Sequence, residues 1–236
     1  MSYTSPEEEL ASEEGAHWIL ISDLMSALMM VFLLLAIVFM VLVQKESQRM
    51  REVAAVYLDL RQQLYQDLLQ EFAQDLPKWS AELTPDLVIR FQDSGVLFEL
   101  GSAQLRPAFS AILEDFFPRY VKVITSPQYR DDITEVRIEG HTSSDWTNAN
   151  SANEAYINNM RLSQARTRSS LEYVLNLPQV SAQQDWLKQY LTANGLSSSQ
   201  PIYTADGTEN SELSRRVEFR VRTDADARIR AILEDY

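Results

Sequence analysis

Apolar residues are concentrated in one block, WILISDLMSALMMVFLLLAIVFMVLV from Trp18 to Val43, whose only charged side chain is Asp23. As a helix the block would measure roughly 39 Å at about 1.5 Å per residue, more than a hydrocarbon core of ~30 Å requires. No basic stretch precedes it, and it is too long for the apolar region of a cleaved leader, so residues 18–43 read as a retained signal anchor. The segment before it, residues 1–17, carries Glu7, Glu8, Glu9, Glu13 and Glu14 and predicts a short disordered tail.

Beyond the block the pattern becomes amphipathic. Residues 44–76 contain neither Gly nor Pro, and Val53, Val56, Leu60, Leu64, Leu68, Phe72 and Leu76 recur mostly four apart. That spacing makes one apolar helix face, which Pro77 should end. The helical linker, residues 44–80, is either a connector packed on its own domain or a sister chain, or a plug lying along a membrane surface.

From Leu87 the periodicity shortens. LVIRFQ (Leu87–Gln92) and VLFEL (Val96–Leu100) flank Asp93-Ser94-Gly95, a hairpin signal. A helix should follow Pro107, carrying Phe109, Ile112, Leu113 and Phe116. ITEVRIEG (Ile133–Gly140) predicts a strand leading into a polar loop. Helices are expected at 154–175 and 183–193, a final strand at RRVEFRVRT (Arg215–Thr223), and a charged terminal helix behind it. Residues 81–236 should therefore fold as an α+β domain, a mixed sheet covered by helices on one face.

Composition narrows the chemistry. The net charge is −13, from 34 acidic and 21 basic residues, which argues against a nucleic-acid partner. Without cysteine there is no disulfide, thiolate metal site or lipidated N-terminal anchor. His17 and His141 lie too far apart to suggest zinc, and no cofactor is implied. No paired carboxylates or nucleophile–base set points to an enzyme. His141, at a strand end, reads as a residue that fixes the following loop, and Trp146 either covers a ligand or packs that loop.

Asp23 is the chemical anomaly of the apolar block. An ionisable residue within a membrane helix costs about 2.5–3.5 kcal/mol on insertion scales. Its place roughly 8 Å inside Trp18 allows an incidental interfacial carboxylate. The alternative is an ion-binding carboxylate facing a partner helix, with Ser22 beside it and Ser26 on the same face. A single carboxylate on one helix makes no channel, so dimerisation or further helices are implied.

Two resemblances sharpen these readings. Ser22-Asp23-Leu24-Met25-Ser26-Ala27-Leu28-Met29 resembles the A-D-F-M-T-A-M-M segment of MotB-type stator subunits, whose aspartate carries the driving ion within a ring of MotA-type chains. FELGSAQLRP (Phe98–Pro107), IEGHTSS (Ile138–Ser144), Asn159 to Arg166 (N-x-x-L-S-x-x-R) and Ser214-Arg215-Arg216-Val217 are similar, in order and spacing, to the motifs of OmpA-like peptidoglycan-binding domains.

The second resemblance implies that Arg166 pairs with a carboxylate of diaminopimelate in the wall's stem peptide. Thr142 lies in the same motif. The family's aspartate after G-H-T, which receives the ligand's ammonium, is Ser143 here; either Asp145 substitutes for it, or Ser143, Ser144 and backbone groups bind more weakly. Asn159 and Leu162 would hold loop to helix, and Arg215 would line the pocket or begin a solvated edge strand.

Wall binding would make residues 44–236 periplasmic and the acidic tail cytoplasmic, in a single-pass inner-membrane protein. Lys45, Arg49 and Arg51 oppose this, since the positive-inside rule alone would place the C-terminal part in the cytoplasm. The short acidic N-terminus and G-H-T-S-S-D-W resemble non-flagellar relatives, the ZorB-type subunits of Zorya anti-phage systems. A homodimer inside a ring of MotA- or ZorA-like chains is then implied, with protons favoured as the ion. A flagellar stator subunit and a purely structural wall tether are the alternatives.

Overall fold

Helix α1 runs from Pro6 to Phe72 and supplies residues to two units, Met1–Val53 and Ala54–Tyr236. The structure, a computed structural model, describes residues 6–92, 94–99 and 101–224; of 6–17, 19–20, 49–57 and 94 it describes the backbone alone. The expected disordered tail is instead helical from Pro6. Proline is pre-organised for a first helical turn, and the glutamates that follow suit the positive end of the helix dipole. Within the first unit, Ile21–Gln48 is long and apolar enough to cross a membrane, with a mean hydropathy of 3.0 and none of it buried in the chain.

The second unit is built on a five-stranded sheet in the order β1-β2-β5-β3-β4, formed by β1 (Ala81–Thr84), β2 (Val88–Phe91), β3 (Ile133–Gly140), β4 (Leu191–Gly195) and β5 (Val217–Thr223). Only β3 and β4 pair in parallel. β3 has the bounds its alternation predicts. Helices α3 (Pro107–Ile124) and α4 (Ala152–Leu175) also form where expected, α4 capped by the Ser151 hydroxyl accepting from the Glu154 amide.

Four expectations fail here. The hairpin lies one strand earlier than predicted: β1 pairs with β2 across a turn in which the Leu87 amide donates to the Thr84 carbonyl at 3.0 Å. Ser94–Leu97 forms a helical turn, α2, because Leu97 and Phe98 are both buried, and two successive inward residues cannot share one face of a strand. The helix expected to Ala193 stops at Tyr190 as α5 (Gln184–Tyr190), and the chain continues directly into β4. The last predicted strand, β5, is central rather than an edge. The charged terminal helix lies outside the described residues.

One sheet face holds the core. Ile89, Phe91, Val136, Ile138, Phe219 and Val221 meet Phe109, Leu113, Phe116, Phe117 and Tyr120 of α3, with Phe219 touching four aromatic rings at 5.1–6.2 Å. Leu64, Leu68 and Phe72 of α1 complete this core, fully buried. The amphipathic face of residues 60–72 is thus packed on its own domain; the side chains of Val53 and Val56 lie outside the described residues. The helix ends at Phe72 rather than at Pro77, and a run of turns brings Leu76 and Trp79 back against the core.

The opposite face carries alternating charges tied both across and along the strands. Arg90 pairs with Glu218 at 2.7 Å, Arg220 with Glu139 at 2.9 Å and with Glu218 at 3.1 Å, and Arg137 with Glu135 at 2.8 Å. VEFRVR alternates because β5 separates the apolar core from this layer of ion pairs.

Gly140 and Gly195 face each other in the β3–β4 register, and α4 lies directly on both. A Cβ on Gly195 would sit 2.3 Å from the Gln164 amide nitrogen, and one on Gly140 would sit 3.0 Å from the Ser163 carbonyl oxygen. Gly195→Ala must push the α4 backbone away. It should lower the unfolding free energy by about 1–3 kcal/mol, measured by chemical denaturation.

Candidate functional site

The close approach of α4 aligns three chain segments. The Ser197 amide donates to the Ser163 hydroxyl at 3.0 Å, the Thr142 amide to the Ser197 carbonyl at 2.9 Å, and the His141 amide to the Arg216 carbonyl at 3.0 Å. The end of β3 is thereby held between the exit of β4 and the approach to β5. Around this junction opens a cleft of about 390 Å³. All seven residues that the sequence points to line it: Thr142, Ser143 and Asp145 beyond β3, Asn159, Leu162 and Arg166 on α4, and Arg215 before β5. Trp146, Thr147 and Gly101 complete the wall.

Each side chain has a defined support. Asn159 is buried and donates to the Asp145 carbonyl at 3.2 Å, tying the loop to α4. The Asp145 carboxylate accepts from the Ser211 hydroxyl at 2.7 Å, and Ser144 is bound through its amide and hydroxyl to Glu209. Arg166 donates from Nε to the Ser102 carbonyl at 2.9 Å and from Nη2 to the Glu99 carbonyl at 3.2 Å. Its guanidinium also lies 4.9 Å above the Phe98 ring.

These backbone and ring supports are roles that periodicity does not reveal. The retrievable signal is the fixed spacing from Phe98 to Ser102 in the F-x-x-G-S motif. Burial, and then the nearby charge of Arg215, lower the Arg166 pKa to about 10, so it stays protonated at neutral pH.

Among the described residues neither Arg166 nor Arg215 has a carboxylate within 4.0 Å. Among the described residues, the Arg215 side chain donates only to the Ser143 hydroxyl, at 3.5 Å. The Thr142 hydroxyl is buried and has no hydrogen-bond partner among the described residues. Such an arrangement can fix anionic groups, and it holds no nucleophile–base pair.

His141 follows β3 directly and is fully buried at its side chain, with neither ring nitrogen hydrogen-bonded among the described residues. Its Nε2 stands 3.7 Å from Glu218, too far for a hydrogen bond. Burial lowers its pKa to about 4, so it is neutral at pH 7. Burial alone would raise Glu218, but hydrogen bonding to Arg216 and the surrounding positive charges hold it down at about 2.

Glu139, His141 and Glu218 place potential metal-ligand atoms within 4.8 Å of one another. Arg90, Arg137, Arg216 and Arg220 already neutralise both carboxylates, which leaves no negative field for a dication.

The shift of His141 sets an acid limit. Its unfolded value is near 6.5 and its folded value lower, so the unfolded chain binds the extra proton. Stability is complete above about pH 6.5 and is lost as pH falls toward 4, by about 1.4 kcal/mol per pH unit. Below about 4.5 Glu218 adds a second loss in the same direction, extending toward pH 2. Melting temperature followed from pH 8 to 3 should show a plateau and then a decline beginning between pH 6.5 and 6.

The other predicted residues belong to the first unit. Asp23, Ser22 and Ser26 are exposed on α1 within the apolar Ile21–Gln48 segment, Asp23 and Ser26 three apart on one face.

No family model matches the chain. It is 46% identical over 224 residues, 94% of each chain, to the Zorya protein ZorB of Escherichia coli (strain Crooks). The chain belongs to the ZorB family. The crystal structure of a MotB-like protein from Desulfovibrio vulgaris resembles this ZorB-family chain in fold, with a TM-score of 0.51 and 23% identity over 72% of this chain and 96% of that chain. The sheet and helices of the second unit thus follow a MotB-like plan, with an apolar N-terminal helix ahead of them.

Proposed function

We propose that this chain is the ion-binding, wall-anchoring subunit of a proton-driven, MotA/MotB-like inner-membrane motor that serves anti-phage defence. Family membership supports the system, and the cleft supports the anchor. The observation that carries the anchoring role is the convergence of Arg166, Arg215 and the unpartnered Thr142 hydroxyl in one cleft. A stem-peptide carboxylate meets Arg166, while Asp145 is the acid at hand for an ammonium group.

Residues 18–43 cross the inner membrane once, residues 1–17 face the cytoplasm and the C-terminal domain lies in the periplasm. The positive charges of Lys45, Arg49 and Arg51 oppose this orientation, and an obligate partner complex enforces it. Asp23 accepts a proton from the periplasmic side and releases it inward, with Ser22 and Ser26 offering hydroxyls. The partners are a second copy of this chain and a surrounding ring of ZorA-like multi-helix subunits.

The anchoring role is tested by sedimenting the detergent-solubilised full chain with purified peptidoglycan sacculi. The chain should pellet with sacculi, and soluble stem peptides bearing free diaminopimelate should release it. A chain that stays in the supernatant at every sacculus concentration would remove the wall from the proposal.

A further inference from the structure

Helix α4 has a second side that takes no part in the cleft. There Arg161, Gln164, Arg168 and Leu171 line a groove of about 630 Å³, whose other wall is β4 from Ala193 to Gly195, followed by Leu196. β4 is the last strand of the sheet and pairs on one side only, with β3. The Leu196 amide donates to the Gly140 carbonyl at 2.9 Å. Main-chain direction alternates along a strand, so Asn194 and Thr192 also turn their amides and carbonyls towards β3. Those of Ala193 and Gly195 then point outward, and among the described residues the main chain of no other element bonds to them.

Proteins commonly blunt such an edge with charge or proline. The sequence of β4, LTANG, has neither. Its residues after Leu191 are half-buried rather than sealed off.

The charge of the groove points to what docks there. The chain carries a net charge of −13, yet two arginines and no acidic residue line this groove. Both arginines are exposed. Among the described residues neither lies within 4.0 Å of a carboxylate, whereas Arg90, Arg119, Arg137 and Arg220 all do. Arg161 donates only to the Asn158 side-chain oxygen, at 3.2 Å.

We infer that β4 is a docking edge for an acidic, extended segment of a partner protein, which joins the five-stranded sheet as a further strand and sets its carboxylates against Arg161 and Arg168. The outward main chain supplies the pairing, and the arginines select the partner. The two arginines stand about 10 Å apart along the helix axis. A strand presents every second side chain to one face at intervals of about 7 Å, a spacing that two long, flexible side chains can meet. A second copy of this chain suits the groove poorly. Antiparallel pairing of two β4 edges about a twofold axis would set the arginines of one copy against those of the other.

The test uses the full chain in detergent and three labelled ten-residue peptides: alternating Val and Glu, alternating Val and Lys, and alternating Pro and Glu. The third keeps the charge of the first and cannot pair as a strand. By fluorescence anisotropy the Val-Glu peptide should bind with a dissociation constant about tenfold or more below those of the other two. Arg161→Glu combined with Arg168→Glu should reverse the preference between the Glu and Lys peptides while leaving sacculus binding unchanged. Ala193→Pro removes an outward amide and no bond of the β3 ladder, so it should weaken the Val-Glu peptide by about tenfold at an unchanged melting temperature.

Equal affinity for the Val-Glu and Pro-Glu peptides would reduce the contact to loose charge attraction and overturn strand addition. Equal affinity for the Lys peptide, or no binding of any peptide, overturns the inference outright. A smaller particle for Ala193→Pro in light scattering would give the edge to a second copy, and weaker sacculus binding by the arginine variant would give the groove to the wall. Either result overturns the inference. The comparison of peptides on the unaltered chain needs no variant to fold, and it stands or falls separately from the peptidoglycan reading.

Discussion

Asp23→Asn should silence the motor: ion flux through the complex falls to background and protection against phage is lost, while the chain still assembles with its membrane partners. The substitution keeps the size and polarity of the side chain and removes its titration, so the expected loss isolates the proton. A carboxylate in an apolar helix is costly to insert, by about 2.5–3.5 kcal/mol, and the proposed cycling of its charge would give that cost a function. The C-terminal domain should be untouched, with sacculus binding equal to that of the parent chain. Flux measured in vesicles with the partner chains, beside a phage plating assay, decides the matter. Unchanged flux and protection would reduce the protein to a wall tether with an incidental aspartate. Loss of swimming in place of phage protection would assign the motor to a flagellum.

Arg166→Ala should release the domain from the wall. The change removes the guanidinium proposed to meet the ligand and the bonds that hold it to the Ser102 and Glu99 carbonyls. Truncating one partner of a desolvated charge pair costs about 2–5 kcal/mol, so affinity for sacculi should fall by about 30-fold or more. Arg166→Lys is the informative companion. A lysine keeps the charge and lacks the planar fork that donates to two carbonyls while facing the cleft, so it should recover a minor part of the binding. Melting temperatures beside the sedimentation assay separate lost binding from lost fold. A variant that melts like the parent yet binds like it too would move the anchor elsewhere in the cleft.

Periodicity was informative where an element buries one face against a large neighbour. β3 alternates because ion pairs lie on one side of it and the aromatic core on the other, and α3 repeats Phe109, Leu113 and Phe116 onto that same core. The pattern failed at small, thinly buried elements. β1 is AELT, an edge strand with no fully buried residue, and β4 is LTANG, a short edge strand in which Leu191 alone is fully buried. Neither carries enough apolar contrast to stand out from a turn or the end of a helix.

The cleft was legible for a different reason. No hydropathy rule joins Thr142, Asn159, Arg166 and Arg215, which come from three separated segments. The motif resemblance grouped them, and the structure places them around one opening. The supports under Arg166 were hidden because Glu99 and Ser102 act through main-chain carbonyls, which any residue type offers.

The paired glycines at the ends of β3 and β4 have a mechanical consequence. In the proposed motor the anchor would be under tension, and a joint padded with flexible side chains yields before it transmits load. With Gly140 and Gly195 in place, the main chain of α4 bears directly on two hydrogen-bonded strands, and Arg166 lies in the same turn of α4, between Ser163 and Thr167. A pull on the ligand reaches the sheet through stiff backbone with little slack to take up first. The pair of missing side chains turns a binding site into a fastening.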